Sequence, residues 1–187
     1  MVMAVLAAVI HRQQTGEGQY IDLSMTDAVF SMHALSGAEW LSGGEEPEAE
    51  SGMLNGGTLY DYYETRDRRW ISVGSLEPVF LKRLCLEMDL QEFEGIPLDD
   101  VKSQKRLKSK LRKAFKTRGF QEWIEIFQKI DACVEPVLKP SEAANHPQLR
   151  EREMIGKVLN ETGDSIRQIA SPLSLIHISE PTRRTPN

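Results

Sequence analysis

An acidic segment over residues 42–55 divides the sequence and limits the folds that are open to the chain. The segment begins SGGEEPEAESG, and its apolar residues have no helical or strand spacing. Such a composition cannot bury enough apolar surface to offset the loss of chain entropy on folding. The sequence therefore predicts a linker or mobile loop here, with a different structural unit on each side.

Residues 1–41, before the linker, begin with an apolar run. The apolar run MVMAVLAAVI lacks the basic start and the small-residue cleavage site of a signal peptide. It is also only about ten residues long, whereas a bilayer span needs roughly twenty. We interpret it as a helix buried on nearly all sides, which would pack against protein that precedes Met1.

A strand and a second helix are predicted between this first helix and the linker. The segment QYIDLS alternates polar and apolar residues, as a short strand does. Ser24, with Asp27 three residues later, resembles a capping box. The helix that follows is expected to run from about Met25 to Leu41.

The residues after the linker predict a second unit that mixes strands and helices. The patterns indicate a hairpin, three helices, an edge or crossover strand and a second hairpin. In chain order these are strands Tyr60–Thr65 and Trp70–Val73, helices near Pro78–Met88, 101–118 and 120–127, the segment ACVEPVL, and a turn at ETGD.

The predicted helix VKSQKRLKSKLRKAFKTR has one apolar face and one basic face. Leu107, Leu111 and Phe115 recur every four residues and share the packing face. The basic face has two interpretations: a contact surface for the phosphates of a ligand or nucleic acid, or an ordinary solvated surface. The net charge of −5 argues against a non-specific nucleic-acid binder.

The cysteines and histidines do not form a recognisable metal site. Cys85 and Cys133 lack metal-ligand spacing, and we predict two buried, reduced thiols in a cytoplasmic protein. His11, His33 and His146 fall in different predicted elements, where packing or surface roles are expected. Phosphate-binding, hydrolase and zinc-protease motifs are absent from the sequence.

The last residues, 173–187, are interpreted as translated sequencing adapter. The stretch LSLIHISEPTR matches one reading frame of a common transposon-type library adapter. A match of this length favours adapter over a natural tail rich in serine, proline and arginine. His177 is therefore left out of the candidate ligands.

Glu77, in the segment ISVGSLEPVF, is the candidate catalytic residue. It follows an apolar strand directly, so we expect it at the C-terminal end of that strand. Gly74 would let a ligand approach the backbone closely. Apolar neighbours disfavour the charged form of a carboxyl group and can adapt it to proton transfer. The alternative is a glutamate that interacts with the dipole of the following helix, and spacing alone does not decide between them.

Three blocks of the sequence together resemble the family III CoA-transferases (CaiB/BaiF type), which include the α-methylacyl-CoA racemases. In the family's order they are RQQTGEGQYIDLSMTDA, LNGGTLYDYYETRDRRWISVGSLEPVF, and DACVEPVL followed by EAANHPQLRERE. The resemblance covers nearly all of residues 1–172. Transferases of the family tend to carry a glycine-rich loop where this chain has GSLEP, so Glu77 resembles the racemase branch. The family commonly has glycine at the position of Arg68.

The resemblance implies an α/β fold in which part of a Rossmann-like large domain joins a small α+β domain in an interlocked homodimer. On this basis residues 1–41 are the end of a large-domain segment and a linking helix, residues 56–132 are the small domain, and residues 133–172 cross back towards the large domain. It implies that Glu77 is one of two bases that act on an α-proton, and that an aromatic residue lies beside the acyl thioester. The substrate-binding residues expected on this basis are Tyr60, Gly56, Gly57, Gly74 and Leu76.

The implied reaction is racemisation of 2-methylacyl-CoA thioesters by two-base proton transfer through an enolate. Coenzyme A would be part of the substrate, and no other cofactor and no metal is expected. The resemblance places the second base, a histidine with a nearby carboxylate, and most of the CoA-binding region before Met1, so we expect an inactive fragment. Two alternatives stay open: CoA transfer between carboxylic acids, and a non-catalytic interaction module.

Overall fold

A computed structural model describes residues 1–34, 36–54 and 56–173, which form a mixed α/β chain with two small antiparallel sheets. The helices of these residues are α1 (Val2–Thr15), α2 (Met25–Ser31), α3 (Ser36–Leu41), α4 (Pro78–Glu87), a 3-10 turn (Gln91–Phe93), α5 (Val101–Phe115), α6 (Phe120–Phe127), α7 (Pro140–Ala143) and α8 (Pro147–Glu151). The strands are β1 (Asp61–Glu64), β2 (Trp70–Val73), β3 (Val134–Pro136), β4 (Ile155–Leu159) and β5 (Ser165–Ile169).

Strands β1, β2 and β3 form one sheet in that order, and both pairs are antiparallel. Tyr63 lies opposite Ile71, and Ile71 lies opposite Pro136. β3 is therefore an edge strand, where a proline without a backbone N–H is tolerated. The predicted hairpin and the predicted edge strand are both confirmed.

The hydrophobic core joins this sheet to helices α4, α5 and α6. Side chains alternate between the two faces of a strand, and the buried strand residues are Tyr63, Ile71, Val73 and Val134. An aromatic cluster continues into the helices, with the Phe115 ring centroid 5.2 Å from that of Tyr63 and 5.1 Å from that of Trp123. The indole Nε1–H of Trp123 donates to the Phe115 carbonyl at 2.9 Å.

The three helices predicted after the linker are confirmed, with small shifts at their ends. α4 begins with Pro78 in its first turn, a position where the missing N–H costs nothing. α5 buries the predicted face of Leu107, Leu111 and Phe115. It ends at Phe115, three residues before the end of the predicted range 101–118.

The part of the chain before the linker departs from the predictions. No residue of α1 is buried among those the structure describes, and its burial against protein outside residues 1–187 stays a prediction. The segment QYIDLS is not a strand, because a strand needs a paired neighbour. Half of the predicted capping box is confirmed: Ser24 Oγ accepts from the Asp27 N–H at 3.2 Å, but no return bond from the Asp27 side chain is found among the described residues.

The single helix predicted from Met25 to Leu41 is two helices. α2 ends at Ser31, and α3 begins at Ser36. At the end of α2 the N–H groups of Met32 and His33 donate to carbonyls only three residues earlier. This tighter pattern is typical of a last helical turn.

The second predicted hairpin is confirmed as β4 and β5, which pair from Ile155 opposite Ile169 to Leu159 opposite Ser165. The adapter prediction falls on residues 173–187, and all but Leu173 lie outside the described part of the chain. None of the helices in the described ranges has both the length and the apolar character needed to cross a bilayer.

Candidate functional site

A cleft of about 370 Å³ opens on the face of the three-stranded sheet that points away from the core. Its floor is a row of paired residues, one from each strand: Tyr62, Ser72 and Glu135. The other lining residues come from the loop before β1, the end of β2 and the turn into β3: Leu54, Gly56, Tyr60, Asp61, Val73, Gly74 and Cys133.

Three of the predicted substrate-binding residues line this cleft together, namely Gly56, Tyr60 and Gly74. Leu76 instead packs against the hydrophobic core. Gly57 is not among the described lining residues. The structure thus brings half of the predicted site together, and the binding roles of all these residues stay predictions.

Gly74 allows the aromatic wall of the cleft to approach the β2–β3 edge. A Cβ atom at this position would lie 3.0 Å from Cys133 Sγ and 3.5 Å from Tyr60 Cε2. The first distance is shorter than carbon and sulfur atoms tolerate without a shift. The Gly74 N–H also donates to the Cys133 carbonyl at 2.8 Å. Glycine is therefore required here for close packing.

The two glycines before the cleft are required for different reasons. Gly56 has φ of +99°, a left-handed conformation that side chains disfavour. A Cβ on Gly57 would lie 2.1 Å from the Ser51 carbonyl oxygen, which is a severe clash. The Gly57 N–H donates to the Gly52 carbonyl at 3.0 Å. Both glycines thus allow the tight backbone path that leads to Tyr60.

Glu77 lies at the N-cap of α4, four residues after the end of β2. Its predicted place beyond the C-terminal end of a strand is confirmed. Two hydrogen bonds fix the segment between β2 and Glu77. The Leu76 N–H donates to the Gly74 carbonyl at 2.7 Å, and the Ser75 Oγ–H donates to the Ala132 carbonyl at 2.5 Å.

The desolvation expected for Glu77 from its apolar neighbours is not found. The Glu77 side chain is exposed among the described residues. Leu76 packs against the core, and Glu77, the next residue and the N-cap of α4, points outward. Its side chain makes no capping hydrogen bond to the described part of α4. The helix-dipole interpretation and the catalytic interpretation both remain compatible with this position.

Cys133 connects Glu77 to the cleft. Partial burial raises the pKa of the Cys133 thiol, and the nearby negative charges of Glu77, Glu135 and Asp131 raise it further. Gly74, which precedes Glu77 by three residues, lines the cleft together with Cys133. The prediction that both cysteines are buried is half wrong: Cys85 is buried, and Cys133 is exposed. Cys133 has φ of +53° immediately before β3, and this left-handed residue turns out of the core.

Two functional candidates escaped the sequence analysis: Gln104 and Lys108 on α5. Gln104 is fully buried, and its Oε1 accepts from the Leu59 N–H at 3.1 Å. The Lys108 ammonium donates to the Gly56 carbonyl and lies 2.7 Å from Asp61 Oδ2. The signal was present in the sequence, because both residues share the helix face of Leu111 at spacings of three, four and seven.

Asp61, at the start of β1, is the negative partner in this network. Desolvation by burial raises the pKa of its carboxyl group, but the hydrogen bond from Lys108, the Tyr62 N–H and the charges of Lys108 and Arg112 outweigh that effect. The net result is an Asp61 pKa below its ordinary value. Asp61 is therefore a carboxylate at neutral pH, fixed at the rim of the cleft.

The basic face of α5 combines internal ion pairs with exposed lysines. Lys108 and Arg112 contact Asp61, and Lys116 Nζ lies 3.1 Å from Glu64 Oε2. Lys105 and Lys110 are exposed. Part of this face thus binds β1, an interpretation that the sequence analysis did not include.

The described residues contain no cluster of three or more histidine, cysteine, aspartate or glutamate side chains that could hold a metal ion. His146 has a local role, since its Nδ1 accepts from the Gln148 N–H at 3.3 Å at the start of α8. The polar side chains that line the cleft are the carboxylates of Asp61 and Glu135, the phenols of Tyr60 and Tyr62, the Ser72 hydroxyl and the Cys133 thiol.

Comparisons with known proteins agree on one family. The chain is 28% identical over 174 residues to the alpha-methylacyl-CoA racemase of Homo sapiens, covering 92% of this chain and 45% of the relative. It is 28% identical over 164 residues to the acetyl-CoA:oxalate CoA-transferase of Acetobacter aceti, covering 84% of this chain and 41% of that relative. The chain thus spans less than half the length of these relatives.

A solved structure supports the fold. The crystal structure of a CaiB/BaiF family protein from Brucella suis matches with a TM-score of 0.72 and 18% sequence identity, over 94% of this chain and 46% of that one. The family model for CoA-transferase family III matches residues 1–187. The chain belongs to CoA-transferase family III.

Proposed function

We propose that the protein that carries this chain racemises the α-carbon of 2-methylacyl-CoA thioesters by two-base proton transfer. The observation that carries the proposal is the position of Glu77 at the N-cap of α4, three residues after Gly74, which lines a cleft together with Gly56 and Tyr60. A carboxylate beside a cleft with an aromatic wall is suited to remove a proton from a carbon next to a thioester.

The proton transfer follows from the acidity of the α-carbon. One base removes the α-proton, the electron pair moves onto the thioester oxygen as an enolate, and a base on the opposite face returns a proton to the carbon. Glu77 serves one face. The family resemblance assigns the other face to a histidine with a neighbouring carboxylate outside residues 1–187. Donors near the oxygen stabilise the enolate, because the negative charge develops there.

The setting of this reaction is also part of the proposal. The substrate is an acyl-CoA thioester, and coenzyme A enters as part of that substrate. In this proposal residues 1–41 belong to the end of the large domain and a linking helix, residues 56–132 are the small α+β domain, and residues 133–172 cross back towards the large domain. A Rossmann-like large domain would complete the site in an interlocked homodimer in the cytoplasm. No nucleic-acid partner is part of this function.

CoA transfer between carboxylic acids is the second candidate. A CoA-transferase relative matches at the same 28% identity as the human racemase. The two functions differ in the need for Glu77, because transfer proceeds through acyl chemistry at the carboxyl carbon and needs no α-proton base.

Exchange of the α-proton in deuterium oxide tests the proposal. In the longest natural reading frame that contains this sequence, Glu77→Gln should reduce deuterium incorporation into one enantiomer of a 2-methylacyl-CoA by at least about a hundredfold. Binding of the acyl-CoA should persist. Glu87→Gln, at the other end of α4, is the matched control and should exchange normally. Unchanged incorporation in Glu77→Gln, together with CoA transfer to a free carboxylic acid, would establish the transferase instead.

A further inference from the structure

The loop that leads into the cleft is attached to α5 at three points. The Lys108 ammonium donates to the Gly56 carbonyl and pairs with the Asp61 carboxylate. One helical turn earlier, Gln104 Oε1 accepts from the Leu59 N–H. These bonds join sequence positions that are 45 to 52 residues apart. Residues 56–61, here called the Tyr60 segment, are thus fixed by a distant helix.

Burial makes these attachments strong. Gln104 is fully buried, and Lys108 is 8% exposed. Burying an ammonium or amide group without hydrogen-bond partners costs folding free energy, because the group loses its bonds to water. Each side chain therefore keeps its bonds to the segment. The Nε2 group of Gln104 also donates to the Pro97 carbonyl at 3.2 Å, and this second bond fixes the orientation of the amide.

The attached segment carries the wall of the cleft. Gly56, Tyr60 and Asp61 all belong to the Tyr60 segment and line the cleft. Tyr60 lies between the Leu59 and Asp61 attachments, and its N–H donates to Thr58 Oγ1 at 3.1 Å. A shift of the segment would therefore move the Tyr60 ring relative to Gly74.

We infer that Gln104 and Lys108 are positioning residues for acyl-CoA binding: they fix the Tyr60 segment so that the Tyr60 ring and the Gly56 backbone form one wall of the cleft. This inference rests on the proposed function only in naming the acyl-CoA as the occupant. Neither residue lines the cleft among those described, so each acts through the segment.

The test compares Lys108→Met with Lys110→Met in the longest natural reading frame. Both substitutions remove an ammonium group from α5, but Lys110 is exposed. Lys108→Met should raise the KM for acyl-CoA by about tenfold, the effect of losing a charged hydrogen bond. The kcat should change less than the KM. Amide hydrogen exchange should accelerate in residues 57–61 but not at Ile71 and Val73 of β2. Lys110→Met should change none of these.

Two further measurements keep the inference testable if Lys108→Met does not fold. Gln104→Met removes only the neutral attachment and should accelerate exchange of the Leu59 amide. In the unmodified protein, reductive methylation of Lys108 should be about tenfold slower than that of Lys110, because reaction requires local opening. Equal methylation rates, or unchanged exchange and KM in the variants, would overturn the inference.

The outcomes separate this inference from the proposed function. If Glu77→Gln leaves α-proton exchange unchanged while Lys108→Met still raises the KM, the positioning role stands and racemisation fails. If Glu77→Gln abolishes exchange while Lys108→Met matches Lys110→Met, racemisation stands and the positioning role fails.

Discussion

At the scale of single residues, the cleft depends on positions where a side chain is absent. Gly74 lets Tyr60 and Cys133 approach each other, and Gly56 both adopts a left-handed conformation and faces the Lys108 ammonium. Small residues in such places create space, so their loss affects stability and site geometry together. Two kinds of strain, conformational and steric, can be separated by comparing glycines.

Replacement of Gly56 by alanine should destabilise the protein more than replacement of Gly95. Both glycines have positive φ, +99° and +73°, so each alanine variant should lose about 1–2 kcal/mol from backbone strain. A Cβ on Gly56 would also lie 3.2 Å from Lys108 Nζ, whereas a Cβ on Gly95 would have no neighbour within 4 Å among the described atoms. Urea unfolding of the two variants measures the difference. Equal losses of unfolding free energy would show that the Lys108 side chain moves away from the new Cβ at no cost.

The thiol of Cys133 reports on Glu77. Burial, then the charge of Glu77, raises the pKa of this thiol, so less of the reactive thiolate is present near pH 8. Glu77→Gln should lower that pKa and increase the alkylation rate of Cys133 by about twofold. Mass spectrometry after timed iodoacetamide treatment gives the rate.

Glu94→Gln is the matched control for this experiment. The Glu94 charge acts on the buried Cys85, where burial first and then nearby glutamates raise the thiol pKa to about 11. It should leave the Cys133 rate unchanged. A Cys133 rate that does not respond to Glu77→Gln would place the Glu77 carboxylate too far from the cleft to act as its base.

At the scale of elements, hydrophobic periodicity predicted the first hairpin and the three helices after the linker well. α4, α5 and α6 each bury one stripe of apolar residues, and the β1–β2 hairpin brackets a polar turn. These patterns are local and repeat along the chain, so one sequence is sufficient to read them. The break between Ser31 and Ser36 escaped prediction, because nothing in the apolar spacing marks the early end of α2.

The candidate site was less predictable because its geometry is nonlocal. Gly56 and Tyr60 were identified through a resemblance, but their attachment to Gln104 and Lys108 joins residues far apart in sequence. A lysine on a basic helix is usually solvated, and only the packed structure shows Lys108 turned inward. The exposure of Glu77 likewise depends on how α4 follows β2.

The β1–β2 turn contains a residue under conformational strain. Arg68 has φ of +60° and is exposed, and its N–H donates to the Thr65 carbonyl at 3.0 Å. Glycine adopts this conformation without the Cβ penalty. Arg68→Gly should therefore be about 1 kcal/mol more stable than Arg68→Ala, which removes the same guanidinium but keeps the strain. Thermal unfolding of the pair checks this, and an alanine variant as stable as the glycine variant would refute it.

At the scale of the whole molecule, burial divides the chain unevenly. The hydrophobic core residues run from Leu59 to Val134, and no described residue before Thr58 is buried. Helices α1 to α3 expose large apolar side chains such as Leu6, Phe30 and Leu41. Between these parts lies the acidic segment 42–55. The domain boundaries inferred from the sequence make a direct prediction about local stability.

A glutamate-specific protease should cut the chain of residues 1–187 first in the acidic segment. Glu45, Glu46, Glu48 and Glu50 lie there, and all four are exposed. Cleavage needs a locally unfolded strand of several residues, which this segment provides without disrupting any buried contact. The glutamates of α4 and α6 require opening of the core. The first stable product should therefore begin between residues 46 and 51 and retain the chain through Val134.

Leu111→Ala provides the control, because it weakens the core without touching the linker. Leu111 is fully buried, and its truncation should cost about 2–5 kcal/mol. This variant should be cut at the acidic segment at the same rate as the unmodified chain and faster within residues 56–134, since cleavage of a folded region follows its opening equilibrium. Early cleavage of the unmodified chain at Glu87 or Glu125, in step with the linker, would mean that residues 56–134 do not form an independently stable unit.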